Sequence, residues 1–119
     1  MEVLRAPFRL SDLESKYELA KKKKNMPVEI TGTDGFARYY VMDCLGTDRI
    51  KLIITYSEDR AKEILDSYVF FDRNILYYPS KDILFYSADI HGHTILRQRM
   101  EVVKGIIEGT VSTVVVSVD

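Results

Sequence analysis

The apolar positions switch between two periods along the chain, and the switches mark out its elements. Leu13, Tyr17 and Ala20 recur at helical spacing behind Ser11 and Glu14, which have the spacing of a capping box. Four lysines, Lys21, Lys22, Lys23 and Lys24, end that helix, and Pro27 is expected to stop it and to lead into a short strand, Val28–Thr31. A second helix follows, with Ala37, Tyr40, Val41, Cys44 and Leu45 on one face and Gly46 placed as a left-handed stop. Residues 50–56 form a nearly unbroken β-branched and aliphatic run, the pattern of a strand buried on both faces of a parallel sheet. Ser57 then caps a helix whose buried stripe is Ala61, Ile64, Leu65 and Tyr68. Residues 75–78 read as a third strand closed by Pro79, and residues 80–93 as an irregular connection of unusual length. A last helix over residues 94–108 carries Leu96, Met100, Val103 and Ile107 on one face and stops at Gly109, before a final strand at residues 113–118.

Strands alternating with helices define an α/β class, here a three-layer α/β/α arrangement with a mostly parallel sheet of about four strands. With 119 residues, 46% of them hydrophobic, the chain fits one domain with one core: an N-terminal helix region over residues 1–26 and a parallel α/β core over 27–119. A net charge of −1 sets up no global field toward nucleic acid or an anionic membrane. The single cysteine, Cys44, lies on the apolar side of its helix and reads as packing rather than as a nucleophile. The N-terminus has no signal-peptide block and no run is long enough to span a bilayer, so a cytoplasmic setting is expected.

The residues at 28–36, V-E-I-T-G-T-D-G-F, have the outline of a phosphate-binding loop. Such a loop, G-x-x-x-x-G-K-[S/T], uses glycines to bring backbone N–H groups onto phosphate, a lysine for the outer phosphates and a hydroxyl for magnesium. Here the candidate loop is Thr31, Gly32, Thr33, Asp34, Gly35 and Phe36, in which Gly32 and Gly35 supply only the flexibility. In one register the lysine and hydroxyl positions fall on Gly35 and Phe36; in the other they fall on Phe36 and Ala37. The competing reading is an ordinary strand-to-helix turn, with glycines for positive φ and Asp34 for its turn-forming carboxylate. In an open parallel sheet this loop, Ser57 and the end of the last strand are expected on one rim.

Other chemistry is weaker. His91 and His93, with Asp89 nearby, offer too few ligands for a metal and read as a solvated loop, and they support no catalytic triad. Tyr77, Tyr78, Phe85 and Tyr86 lack the interleaved cations of a single-strand groove and read as packing. The four lysines read as a solvated helix end rather than a phosphate patch. The closing V-V-V-S-V-D, ending at Asp119, has the form of the magnesium-binding strand of phosphate-loop enzymes, but without a lysine in the loop it reads as a strand followed by an ordinary turn residue.

The segment Y-Y-P-S-K-D-I-L-F-Y-S-A-D at residues 77–89, then R-Q-R-M-E-V-V-K-G-I-I-E-G and V-V-V-S-V-D, resembles the start of the bacterial transcription-repair coupling factors, the Mfd family. The positions that carry the likeness are Pro79, Asp82, Tyr86 and Arg99, with Met100, Val103 and residues 114–118; upstream, I-T-G-T-D-G and I-I-T-Y-S-E-D-R-A fall where that family has its degenerate loop and its second strand. The resemblance extends over nearly the whole chain from about Leu10. It implies the first part of a module similar to the repair protein UvrB that has lost ATPase function and acts as scaffold within a longer polypeptide. It also implies no cofactor for this piece, with ATP and magnesium used by a downstream motor. The partners implied are the inserted domain and motor of the same polypeptide and, through them, UvrA, RNA polymerase and DNA. Three expectations follow: no DNA-clamping hairpin between Pro79 and the last helix, no useful UvrA affinity for this piece alone, and no Mg-ATP binding. The alternative from another class is a stand-alone α/β enzyme or switch that binds a nucleotide or phosphate.

Overall fold

The computed structural model describes residues 2–5, 9–45, 49–79 and 88–118. The element order is β1 (Glu2–Arg5), α1 (Leu10–Lys22), β2 (Val28–Thr31), α2 (Gly35–Cys44), β3 (Lys51–Thr55), α3 (Glu58–Tyr68), β4 (Ile75–Tyr77), α4 (Ala88–Glu108) and β5 (Thr113–Ser117). The class is α/β, and every strand pair is parallel. Instead of one sheet of about four strands there are two, β1-β2 and β3-β5-β4. They belong to two compact units, residues 1–47 and 48–119, so the N-terminal helix region shares a unit with β2 and α2.

In the first unit β1 lies beside β2 with Glu2 opposite Val28 and Arg5 opposite Thr31, and α1 is the crossover between them. Leu4, Leu13 and Val41 form the core, with Val28, Ile30 and Leu45 packed against it. Helix α1 starts one residue before the expected cap: Arg9 is its N-cap, its carbonyl accepts from Leu13 N–H at 3.0 Å, and no side chain caps it. Ser11 therefore sits inside the first turn, where it is not in the extended conformation a capping box needs. The helix is stopped by Lys24, in the left-handed region at φ 56°, while Asn25 N–H donates to Ala20 O at 2.8 Å, before Pro27 is reached. On α2, Val41 and Tyr39 are buried, whereas Tyr40 is 49% exposed and Ala37 is exposed, so only part of the expected face is used.

In the second unit β5 is the central strand and the most buried one, with Val114, Val115, Thr113 and Ser117 all inside. The apolar run of β3 is not buried on both faces: β3 is an edge strand, and Leu52 and Ile54 are each 62% exposed. Ala61, Ile64 and Tyr68 of α3 are buried as the periodicity requires, and α3 packs against β3, β4 and β5. Ser57 is its cap, the hydroxyl accepting from Arg60 N–H at 3.1 Å. Helix α4 begins at Ala88 rather than Thr94, so His91 and His93 fall in a helix rather than a loop. Its expected stripe, Leu96, Met100, Val103 and Ile107, is exposed; the helix is seated through Val102 and Gly105 instead. Gly105 lies directly on the Val111 side chain, which a Cβ would overlap. Gly105→Ala is therefore expected to cost about 1–3 kcal/mol by overpacking, read as a lowered urea midpoint.

Candidate functional site: the strand–loop–helix at residues 31–36

The connection from β2 to α2 is three residues long, Gly32, Thr33 and Asp34. Gly32 (φ 82°) and Gly35 (φ 52°) both take the left-handed backbone that their lack of a Cβ permits. At its strand end Thr31 Oγ1 donates to Leu4 O at 3.5 Å. At its helix end Arg38 reaches back, and Nη2 donates to Thr33 O at 3.0 Å. The nearest cation in sequence is thus engaged in closing the loop. Asp34, the α2 N-cap, makes no side-chain cap hydrogen bond and places an exposed carboxylate at the helix N-terminus. A negative charge there complements the helix dipole and repels a phosphate. Phe36 occupies a lysine or hydroxyl position, is 58% exposed and meets Tyr39 edge-on at 6.3 Å. The connection is three residues long and has no cation between Ile30 and Ala37 in sequence, where a phosphate-binding loop uses a longer glycine-rich turn and a lysine.

The loop belongs to the first unit, and Ser57 and the end of β5 to the second, where they stand at the carboxyl rim of the three-stranded sheet. Ser57 is used as a helix cap there, and Tyr77 Oη lies 3.5 Å from Ser117 Oγ. Two positions of the sequence resemblance meet at this rim: Arg99 Nε donates to Pro79 O at 2.8 Å, and the guanidinium lies 5.6 Å from the centre of the Tyr78 ring. Arg99 so ties the end of β4 to α4 by a hydrogen bond and a cation–π contact. Arg99→Ala is expected to destabilise by about 1–2 kcal/mol, with Arg99→Lys recovering less than half because it loses the planar stack; thermal unfolding of the three proteins checks this. Tyr78 also packs on the Val102, Val111 and Val114 cluster, a packing role for that aromatic ring. Asp82, Tyr86, Phe85 and Asp119, and with them most of the Pro79-to-helix connection, lie outside the described residues. Residues 88–93 are helical and so are not part of any hairpin.

Sequence reasoning missed a polar cluster at the opposite, amino-terminal edge of this sheet. The Asp72 carboxylate accepts from Ser112 Oγ (2.6 and 2.7 Å), Thr113 Oγ1 (2.5 Å) and Asn74 N–H (2.9 Å). Lys51 Nζ donates to Tyr68 Oη at 2.8 Å alongside. Burial pushes the Asp72 carboxyl upward, but the hydrogen bonds from Ser112, Thr113 and Asn74, with the Lys51 charge, outweigh it and hold the group below its ordinary value. The one local signal was D-R-N at 72–74, an Asx-type turn; its partners lie about 40 residues away in sequence. The Ser112 and Thr113 hydroxyls and Asn74 N–H close the sheet edge on Asp72, away from the carboxyl rim where α/β folds bind ligands.

Among the described residues no group of three or more His, Cys, Asp or Glu side chains could hold a metal ion, and no helix is long and apolar enough to cross a membrane. Lys21 lies 3.5 Å from Glu18 and over the Tyr17 ring, and Lys22, Lys23 and Lys24 are exposed. No family model matches the chain, and no characterised protein or solved structure matches it either.

Proposed function

We propose that the chain is a non-catalytic scaffold and interaction module of a transcription-repair coupling factor, acting in transcription-coupled nucleotide excision repair in the cytoplasm. The observation that carries this reading is the emptied loop: a strand, a three-residue turn and a helix in phosphate-loop order, with Phe36 and Asp34 where a cation and open N–H groups are needed. Phosphoryl transfer depends almost wholly on charge and positioning, and this loop supplies neither. The order of the quoted motifs supports the assignment to this family, and the contact of Arg99 with Pro79 gives two of those positions a shared structural task. On this reading ATP and magnesium belong to a downstream motor, and UvrA, RNA polymerase and DNA are met through the rest of the polypeptide.

The test is titration of the protein with a fluorescent ATP analogue in magnesium buffer, where no saturable binding is expected up to millimolar nucleotide. Gly35→Lys with Phe36→Thr is expected to leave turnover at background, because the connection remains too short to enclose a triphosphate. Saturable binding that is lost on replacing Gly35 would overturn the reading in favour of a stand-alone nucleotide switch. Calorimetry against UvrA is expected to show no binding tighter than about micromolar, since the UvrA contact is assigned to the inserted domain and this chain's one charged cluster is Lys21, Lys22, Lys23 and Lys24 at the end of α1.

A further inference from the structure

The last turn of α1 is closed by backbone groups. Lys23 N–H donates to Leu19 O at 3.0 Å, Lys24 N–H to Lys21 O at 3.1 Å and Asn25 N–H to Ala20 O at 2.8 Å, so the carbonyls at this end are satisfied without a lysine side chain. Lys24 itself takes the left-handed conformation, φ 56°, which glycine or asparagine adopts with less strain. The helix end therefore gains nothing in backbone terms from a lysine at that position. At 3.6 residues per turn Lys21, Lys22 and Lys23 leave the helix about 100° apart. With Leu13 and Ala20 buried on the remaining side, they spread over the solvent side of the helix end.

The charge there is not matched. Lys21 is held by Glu18 at 3.5 Å, whereas Lys22, Lys23 and Lys24 are exposed and form no ion pair among the described residues. In sequence no carboxylate occurs between Glu18 and Glu29. The helix dipole offsets about half a charge at this end, which leaves more than about two positive charges on a single turn. Their complement is a row of closely spaced anions. Lysine is a hydrated point charge that suits phosphate, while the planar fork of arginine suits a carboxylate, and this cluster holds no arginine. A lipid surface fits less well: the apolar side of α1 is buried through Leu13 and Ala20, and Leu19 and Met26, exposed beside the lysines, make no continuous face to insert. We infer that Lys22, Lys23 and Lys24 form a docking point for the phosphate backbone of nucleic acid, met without regard to base sequence. The inference stands independently of the coupling-factor reading; on that reading it adds a weak contact of this chain's own to those of the rest of the polypeptide.

Fluorescence anisotropy of the whole chain with a labelled DNA duplex, across a salt series, tests it. Three phosphate contacts give an expected slope of log K against log salt of about −2.7, so that affinity falls about fortyfold between about 50 and 200 mM salt. Lys22→Gln with Lys23→Gln is expected to lower low-salt affinity at least about tenfold and to flatten the slope by about 2. Lys62→Gln with Lys104→Gln removes the same charge from two exposed lysines of the second unit and is expected to change neither. All four side chains are exposed, so circular dichroism is expected to be unchanged. Lys23→Gln alone, worth about one unit of slope, keeps the test decisive if the double variant fails to fold. No binding at low salt, equal losses in the two double variants, or equal capture by phosphatidylserine vesicles would each overturn the inference.

Discussion

Tyr68→Ala is expected to remove about 3–5 kcal/mol of stability, the largest loss of any single substitution considered, and to shift the urea midpoint accordingly. Tyr68 is the last residue of α3, wholly inaccessible to solvent, and its ring packs against Phe71 at 6.1 Å. Truncation opens a cavity at the point where α3 meets the sheet and removes the dispersion contacts that fix the end of that helix. It also takes away the hydroxyl that receives Lys51 Nζ. Tyr68→Phe separates the two contributions, since it keeps the ring and loses one hydrogen bond, for an expected cost of about 0.5–1.5 kcal/mol. An alanine variant no worse than the phenylalanine variant would mean that packing at this position is dispensable. For a domain whose whole stability is about 5–15 kcal/mol, the alanine change brings folding close to failure.

The elements were legible where a local signal and the tertiary environment agree. Ser57 caps α3 because its neighbours satisfy both the cap geometry and the apolar stripe behind it, and Gly109 ends α4 at φ 76° because no other residue type turns there without strain. Strand β1 escaped notice because four residues with charged ends carry no period of their own; its place is fixed by the ladder to β2. The pattern of residues 50–56 suggested a central strand, yet an apolar run reports hydrophobicity and not neighbours, and the central place is taken by β5. On α4 the periodicity correctly grouped Leu96, Met100, Val103 and Ile107 but could not say which side of the helix meets the sheet. Gly105 decided that, since its missing side chain allows the close approach to Val111. At the loop, the absent lysine and hydroxyl were visible in the residues. The role of Arg38 was not, because a guanidinium turned back onto Thr33 O depends on where the helix begins.

The second large effect is expected at Asp72, where Asp72→Ala should cost about 2–3 kcal/mol near pH 7. The carboxylate receives two hydroxyls and a backbone N–H, and one of those hydroxyls, on Thr113, is completely buried at the start of the central strand. Removing the acceptor leaves that buried donor without its partner, which is dearer than the loss of the bond itself. The pH dependence has a definite sign. The folded-state carboxyl titrates below its ordinary value of 3.8, so the charge contributes stability above that value and the contribution is lost as pH falls through the lower, folded-state value. The gap between wild type and Asp72→Ala is therefore expected to be full from about pH 7 down to about pH 5 and to narrow steadily below 3.8. Asp72→Asn keeps an acceptor for one hydroxyl but has no charge to lose, so it should fall between the two near neutrality and show no narrowing of its own in acid. Urea unfolding of the three proteins at several pH values provides the measurement. A wild-type advantage that stays constant through the acid range would show that the neutral carboxyl holds the sheet edge as well as the ionised one, and that the charge at Asp72 contributes nothing to the fold.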